Sequence, residues 1–145
     1  MEQTTSNLIG TSATLATLTA AYSGNVTNKI RAKGFNKLQL EIKYSAGVAN
    51  QFAQVLLETS PDGTNWFIYP TQLASTTENQ VYDNEISVPG DRVSVVGTAE
   101  VMGAYADLNH EWIRVSARER KNDDTAATVF GSIWVSATMS YDVRN

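Results

Sequence analysis

In Lys37–Ser45, Leu38, Leu40, Ile42 and Tyr44 alternate with Lys37, Gln39, Glu41 and Lys43. A period of two sends successive side chains to opposite faces of a strand, here one buried and one wet. The pattern returns in Glu111–Glu119, where Ile113, Val115 and Ala117 alternate with Trp112, Arg114, Ser116 and Arg118. Gln51–Thr59 is apolar on both faces, with Ala53, Val55 and Leu57 on one and Phe52 and Leu56 on the other, as expected of a central strand. Strands are also expected at Gln80–Val88, Val93–Val101 and Thr128–Tyr141, the last long enough to need a bulge or bend at Gly131.

Turn chemistry punctuates these runs. In Ser60-Pro61-Asp62-Gly63-Thr64-Asn65-Trp66, Pro61 presets φ, and Asp62 and Gly63 supply the bend and a left-handed residue, so a tight hairpin into Trp66–Tyr69 follows. Pro89-Gly90-Asp91 and Lys121-Asn122-Asp123-Asp124 read as further turns, and 70–79 and Gly103–His110 as connections. Short strands with turn signals and no convincing helix predict an all-β fold: a single antiparallel β-sandwich, jelly-roll-like, over residues 29–145.

Residues 3–28 carry no charge and are rich in Ser, Thr, Asn, Ala and Gly. Residues 1–28 therefore read either as a first strand on the domain's own sheet or as an extended N-terminal arm on a neighbouring subunit. In the second case Leu8, Ile9, Leu15 and Leu18 are the candidate subunit contacts.

Composition removes much chemistry. The chain has 145 residues, 42% of them hydrophobic, which suits one domain burying roughly 68–70% of its unfolded surface. It has no cysteine and one histidine, so thiolate chemistry and His-pair metal sites are excluded. With no P-loop, G-x-G-x-x-G or G-x-S-x-G motif, no catalytic residue, metal or cofactor is expected. His110, at a strand end, reads as a surface or interface residue, because a triad needs geometry that no motif here supports. The first positive charge is Lys29 and no window reaches 18 apolar residues, so neither a signal peptide nor a membrane partner is expected. The net charge of −4 argues against nucleic acid.

Two surface constellations remain. Arg114, Arg118 and Arg120 share the parity of one strand face, a cationic ladder suited to acidic residues of another subunit. Trp66, Tyr69 and Trp112 are candidates for stacking a glycan, although tryptophans within strands of a sandwich most often pack in the core.

The hairpin Leu56-Leu57-Glu58-Thr59-Ser60-Pro61-Asp62-Gly63-Thr64-Asn65-Trp66 resembles one found in discoidin-type (F5/8C) sandwiches and in small β-sandwich virion proteins of tailed bacteriophages. Discoidin-type domains are usually secreted and often disulfide-closed, and this chain has no cysteine. A short chain with an uncharged Thr/Ser/Ala arm is similar to capsid decoration (cement) proteins. That resemblance implies a non-enzymatic virion structural protein on the capsid surface, made in the host cytoplasm. Its partners would be itself, as a homo-oligomer with a trimer favoured, and the major capsid protein. A carbohydrate-binding sandwich and a tail or head–tail accessory protein are the alternatives.

Overall fold

The computed structural model describes residues 3–22, 29–68, 71–73, 82–83, 86–89, 100–121, 123 and 125–141, with backbone pairing alone for 71–73, 82–83, 86–89 and 100–105. Among these residues there are strands and no helix: β1 Gln3–Ile9, β2 Ala16–Thr17, β3 Ile30–Arg31, β4 Lys37–Ser45, β5 Gln51–Ser60, β6 Phe67–Ile68, β7 Thr71–Leu73, β8 Tyr82–Asp83, β9 Ile86–Pro89, β10 Glu100–Asp107, β11 Trp112–Lys121 and β12 Ser132–Ser140.

The strands form two antiparallel sheets. One is seven-stranded, in the order β1-β12-β4-β10-β7-β8, with β2 beside β12; the other is five-stranded, in the order β3-β11-β5-β6, with β9 beside β5. The chain changes sheet at every step from β2 to β5, again from β6 to β7, and at every step from β8 to β12. This is an all-β sandwich. The connectivity a jelly roll requires runs partly through residues outside the described ones.

The alternation seen in the sequence builds the core. Leu38, Leu40, Ile42 and Tyr44 of β4 join Ile133, Val135, Ala137 and Met139 of β12 on one inner face. Ala53, Val55 and Leu57 of β5 and Ile113, Val115 and Ala117 of β11 line the other. All are buried, and each large side chain contributes about 1.5–3 kcal/mol relative to exposure.

The start of the chain lies on its own domain. Gln3–Ile9 pairs with Ser140–Val135 along one edge of β12, and β2 continues along that edge opposite Ile133 and Ser132. A bulge between Asn7 and Ile9 lets both Leu8 and Ile9 point inward. Leu8, Ile9 and Leu18 are thus part of this chain's own core, while Leu15 is half-buried.

Glu119 follows Ile113, Val115 and Ala117 on the inward parity of β11 and is fully buried. Its Oε2 accepts hydrogen bonds from the Tyr44 hydroxyl and from the Gly47 N–H at 3.1 Å, and its Oε1 accepts one from the Gly131 N–H at 2.6 Å. Three donors on three segments offset the large cost of burying a carboxylate. Burial, then the hydrogen bond to Glu119 and its negative charge, pushes the Tyr44 phenol far above its ordinary value. Gly131 is required here, since a Cβ would sit 1.9 Å from the Ser45 carbonyl oxygen.

Several boundaries differ from the sequence expectation. β12 begins at Ser132, directly after Gly131, and the residues before it turn back so that Ala126 bridges Arg120. Gly103–His110 is not a connection: β10 runs through Asp107, with Met102, Ala104 and Ala106 in register with Ile42, Leu40 and Leu38. Alanine and glycine gave that strand too little contrast to read. The expected strand Gln80–Val88 divides into β8, on the seven-stranded sheet, and β9, on the five-stranded one. β7 lies inside the expected loop 70–79, and most of Val93–Val101 falls outside the described residues.

Candidate functional site: the outer face of the five-stranded sheet

The parity that sends Ile113, Val115, Ala117 and Glu119 inward sends Trp112, Arg114, Ser116, Arg118 and Arg120 outward. Register with β5 sets them opposite Ser60, Glu58, Leu56, Gln54 and Phe52 in turn. At about 3.4 Å per residue, Arg114 to Arg120 spans roughly 20 Å of sheet.

Arg114 and Arg118 each meet specific partners. The Arg114 Nε and Nη2 donate to the two carboxylate oxygens of Glu58, both at 3.2 Å, and the guanidinium lies 4.3 Å from the centroid of the Trp66 ring. The Arg118 Nε donates to the Gln54 Oε1 at 2.7 Å, and its guanidinium lies 4.5 Å from the Tyr22 ring. Trp112 has Lys29 at 5.2 Å and Arg31 at 6.0 Å, and Arg31 is paired with Glu111. A cation over an aromatic face contributes about 0.5–1 kcal/mol when exposed, and stacking holds the planar guanidinium in one orientation.

The hairpin predicted from Ser60–Trp66 positions this array. Gly63 adopts φ +78°, and the Asp62 carboxylate accepts the Thr64 and Asn65 backbone N–H groups, the Asn65 side-chain amide and the Ser60 hydroxyl. The Asn65 and Thr64 backbone bonds, then those from the Asn65 and Ser60 side chains, hold this carboxyl well below the usual carboxylate range. The turn lies on Trp112: a Cβ at Gly63 would meet the indole Nε1 at 3.3 Å, and the Lys29 Nζ donates to the Gly63 carbonyl at 3.3 Å.

The two candidate constellations therefore fall on one surface. The arginine ladder and Trp66 are in direct contact, and β3 and the Gly63 turn bring Trp112 to the same face. The interleaving of cations and aromatics, not visible along the sequence, is made in space by Tyr22 and Trp66. Trp112 is half-buried, with Gly63, Lys29 and Arg31 around its ring. Tyr69 lies outside the described residues. The tryptophans are half-buried on outer faces rather than in the core; Trp134 donates its indole N–H to Asn7 Oδ1 at 2.8 Å on the other sheet. Among the described residues, the fully buried aromatic of the inter-sheet core is Tyr44.

His110 is committed locally, its Nδ1 sharing a 2.8 Å hydrogen bond with the Thr59 hydroxyl and its ring tilted against Phe67. Ile68, in register with the outward Glu58, extends the face along β6, while Phe67, in register with the inward Thr59, has the opposite parity; both are more than half exposed. No protein-family model matches this chain, and no curated protein or solved structure matches it.

Proposed function

We propose that this chain is a non-enzymatic structural protein that docks onto an acidic protein surface through the outer face of its five-stranded sheet, as a capsid decoration protein would dock onto a shell of major capsid protein. The observation that carries this reading is Arg114, stacked on Trp66 and forked onto Glu58. Arginine and tryptophan are the residue types that most often anchor interfaces, and a pre-ordered side chain loses little entropy on binding. Charge placement supports it. On a chain of net charge −4, seven of the nine Lys and Arg among the described residues fall in residues 29–33 and 112–121. Many copies on a symmetric shell would turn moderate contacts into high avidity.

The test is co-sedimentation with viral capsid shells that display an acidic outer surface, at rising salt. Salt-sensitive binding that Arg114→Glu and Arg118→Glu abolish supports the reading. Binding indifferent to both substitutions, or to salt, overturns it. Binding to a glycan array that Trp66→Ala removes would favour the carbohydrate reading instead.

A further inference from the structure

Folded proteins keep sheet edges from pairing by making edge strands short, or by placing charge or proline on them. Among the described residues most edges follow that rule: β3, β6 and β8 have two residues each, and β9 ends in Pro89. β1 does not. It has seven residues, with no charge and no proline, and its bulge lies near its C-terminal end, so Gln3–Asn7 runs in unbroken register. One of its edges bonds β12, and among the described residues no strand bonds the other. The strand is firmly seated. Leu8 and Ile9 are in the core, the Thr5 and Thr138 hydroxyls hydrogen-bond at 3.1 Å, and Asn7 accepts the Trp134 indole N–H.

We propose that β1 pairs antiparallel with β1 of a second copy of this chain, about a two-fold axis through Thr5, joining two seven-stranded sheets into one. On that axis Thr5 faces the partner's Thr5, Thr4 faces the partner's Ser6 and Gln3 faces the partner's Asn7. Charge selects the occupant. The chain is acidic overall, and two copies repel wherever like charges meet, but Gln3–Ile9 brings none to the seam. The contact is isologous, so every pairing except the axial Thr5–Thr5 occurs twice and the assembly closes as a dimer. Threonine pairs across strands are favourable, and here Thr138, Thr5, the partner's Thr5 and the partner's Thr138 form one continuous row. Five residue pairs make a small interface, which tightens where copies are crowded on one surface. The dimer stands apart from the docking reading, because β1 and the arginine face lie on different sheets.

Sedimentation equilibrium of the full chain over a wide concentration range tests the pairing. The wild type is expected to shift from monomer to dimer, and Thr5→Lys, which sets two ammonium groups on the axis, to remain monomeric with an unchanged circular dichroism spectrum. The absence of cysteine allows a second test. Directly opposed residues in antiparallel strands have Cα atoms about 4.5–5.5 Å apart, within disulfide range. Thr5→Cys should therefore oxidise to a covalent dimer at least tenfold faster than Gln39→Cys, which sits on the same outer face but on a central strand. A wild type that is monomeric throughout, a Thr5→Lys variant that still dimerises, or equal oxidation of the two cysteine variants would overturn the proposal. So would slow hydrogen exchange of the β1 outer amides in a monomer, since another part of the chain would then cover the edge.

Discussion

The Tyr44 hydroxyl donates a hydrogen bond to the Glu119 carboxylate, linking the inner faces of the two sheets. Both residues belong to otherwise apolar inward rows, and both are fully buried. Replacing Glu119 by Gln puts an amide donor where two backbone N–H groups and a hydroxyl need acceptors. The expected loss is about 3–5 kcal/mol of unfolding free energy, measured in urea. Tyr44→Phe removes one donor, and about 1–3 kcal/mol should be lost.

The same pair predicts an alkaline limb. The folded Tyr44 value lies above the unfolded value of 10.0, so the unfolded chain releases this proton first as pH rises. Stability from this group is complete below pH 10 and falls above it. Denaturation curves at pH 9 to 11 should show a steeper decline for the wild type than for Tyr44→Phe.

Asp62 predicts the opposite limb. Its carboxyl is held below the ordinary range by the turn's donors, so its contribution is present above the unfolded value of 3.8 and is lost as pH falls through the folded value. Asp62→Ala should lower the melting temperature at pH 7 and flatten the acid dependence below pH 4. An acid limb unchanged by the substitution would place its origin elsewhere.

Gly131→Ala should cost about 3 kcal/mol or more, since the added methyl meets backbone of the β4 end rather than a side chain able to move. Chemical denaturation reads this directly.

Arg114→Ala separates folding from docking. The side chain is one-third exposed and its ion pair is screened, so stability should fall by only about 0.5–1 kcal/mol. Shell binding should fall at least tenfold. Arg114→Lys keeps the charge but loses the fork, and is expected to recover only part of the binding.

The best-read parts of the sequence were those where side-chain size and charge alternate strongly. β4 matches its predicted span, and the Ser60–Trp66 hairpin forms where Pro61, Asp62 and Gly63 require it. β10 was hidden because Gly103, Ala104 and Ala106 are too small to give the alternation in size and polarity that marks a strand. The arginine ladder of β11 was legible from parity alone. Its aromatic partners were not, since Arg114 is 48 positions from Trp66 and Arg118 is 96 from Tyr22, distances over which only the sheet order decides contact. Uncharged polar composition in residues 3–17 fits an arm and an edge strand equally well. Leu8, Ile9 and Leu18 decided between them by finding room in the core.

The placement of β1 also sets an order of events. Thr5 meets Thr138, 133 positions away, and β12 is flanked by β1 and β2 on one side and by β4 on the other. During synthesis β1 cannot pair with β12 until residues 132–140 have been made. Contacts so distant in sequence slow folding, because loop closure must precede any gain from pairing. During that wait, Leu8, Ile9 and Leu18 are held out of aggregation chiefly by the Thr-, Ser- and Asn-rich sequence around them. That sequence keeps the unpaired segment soluble before it serves the folded chain as a strand.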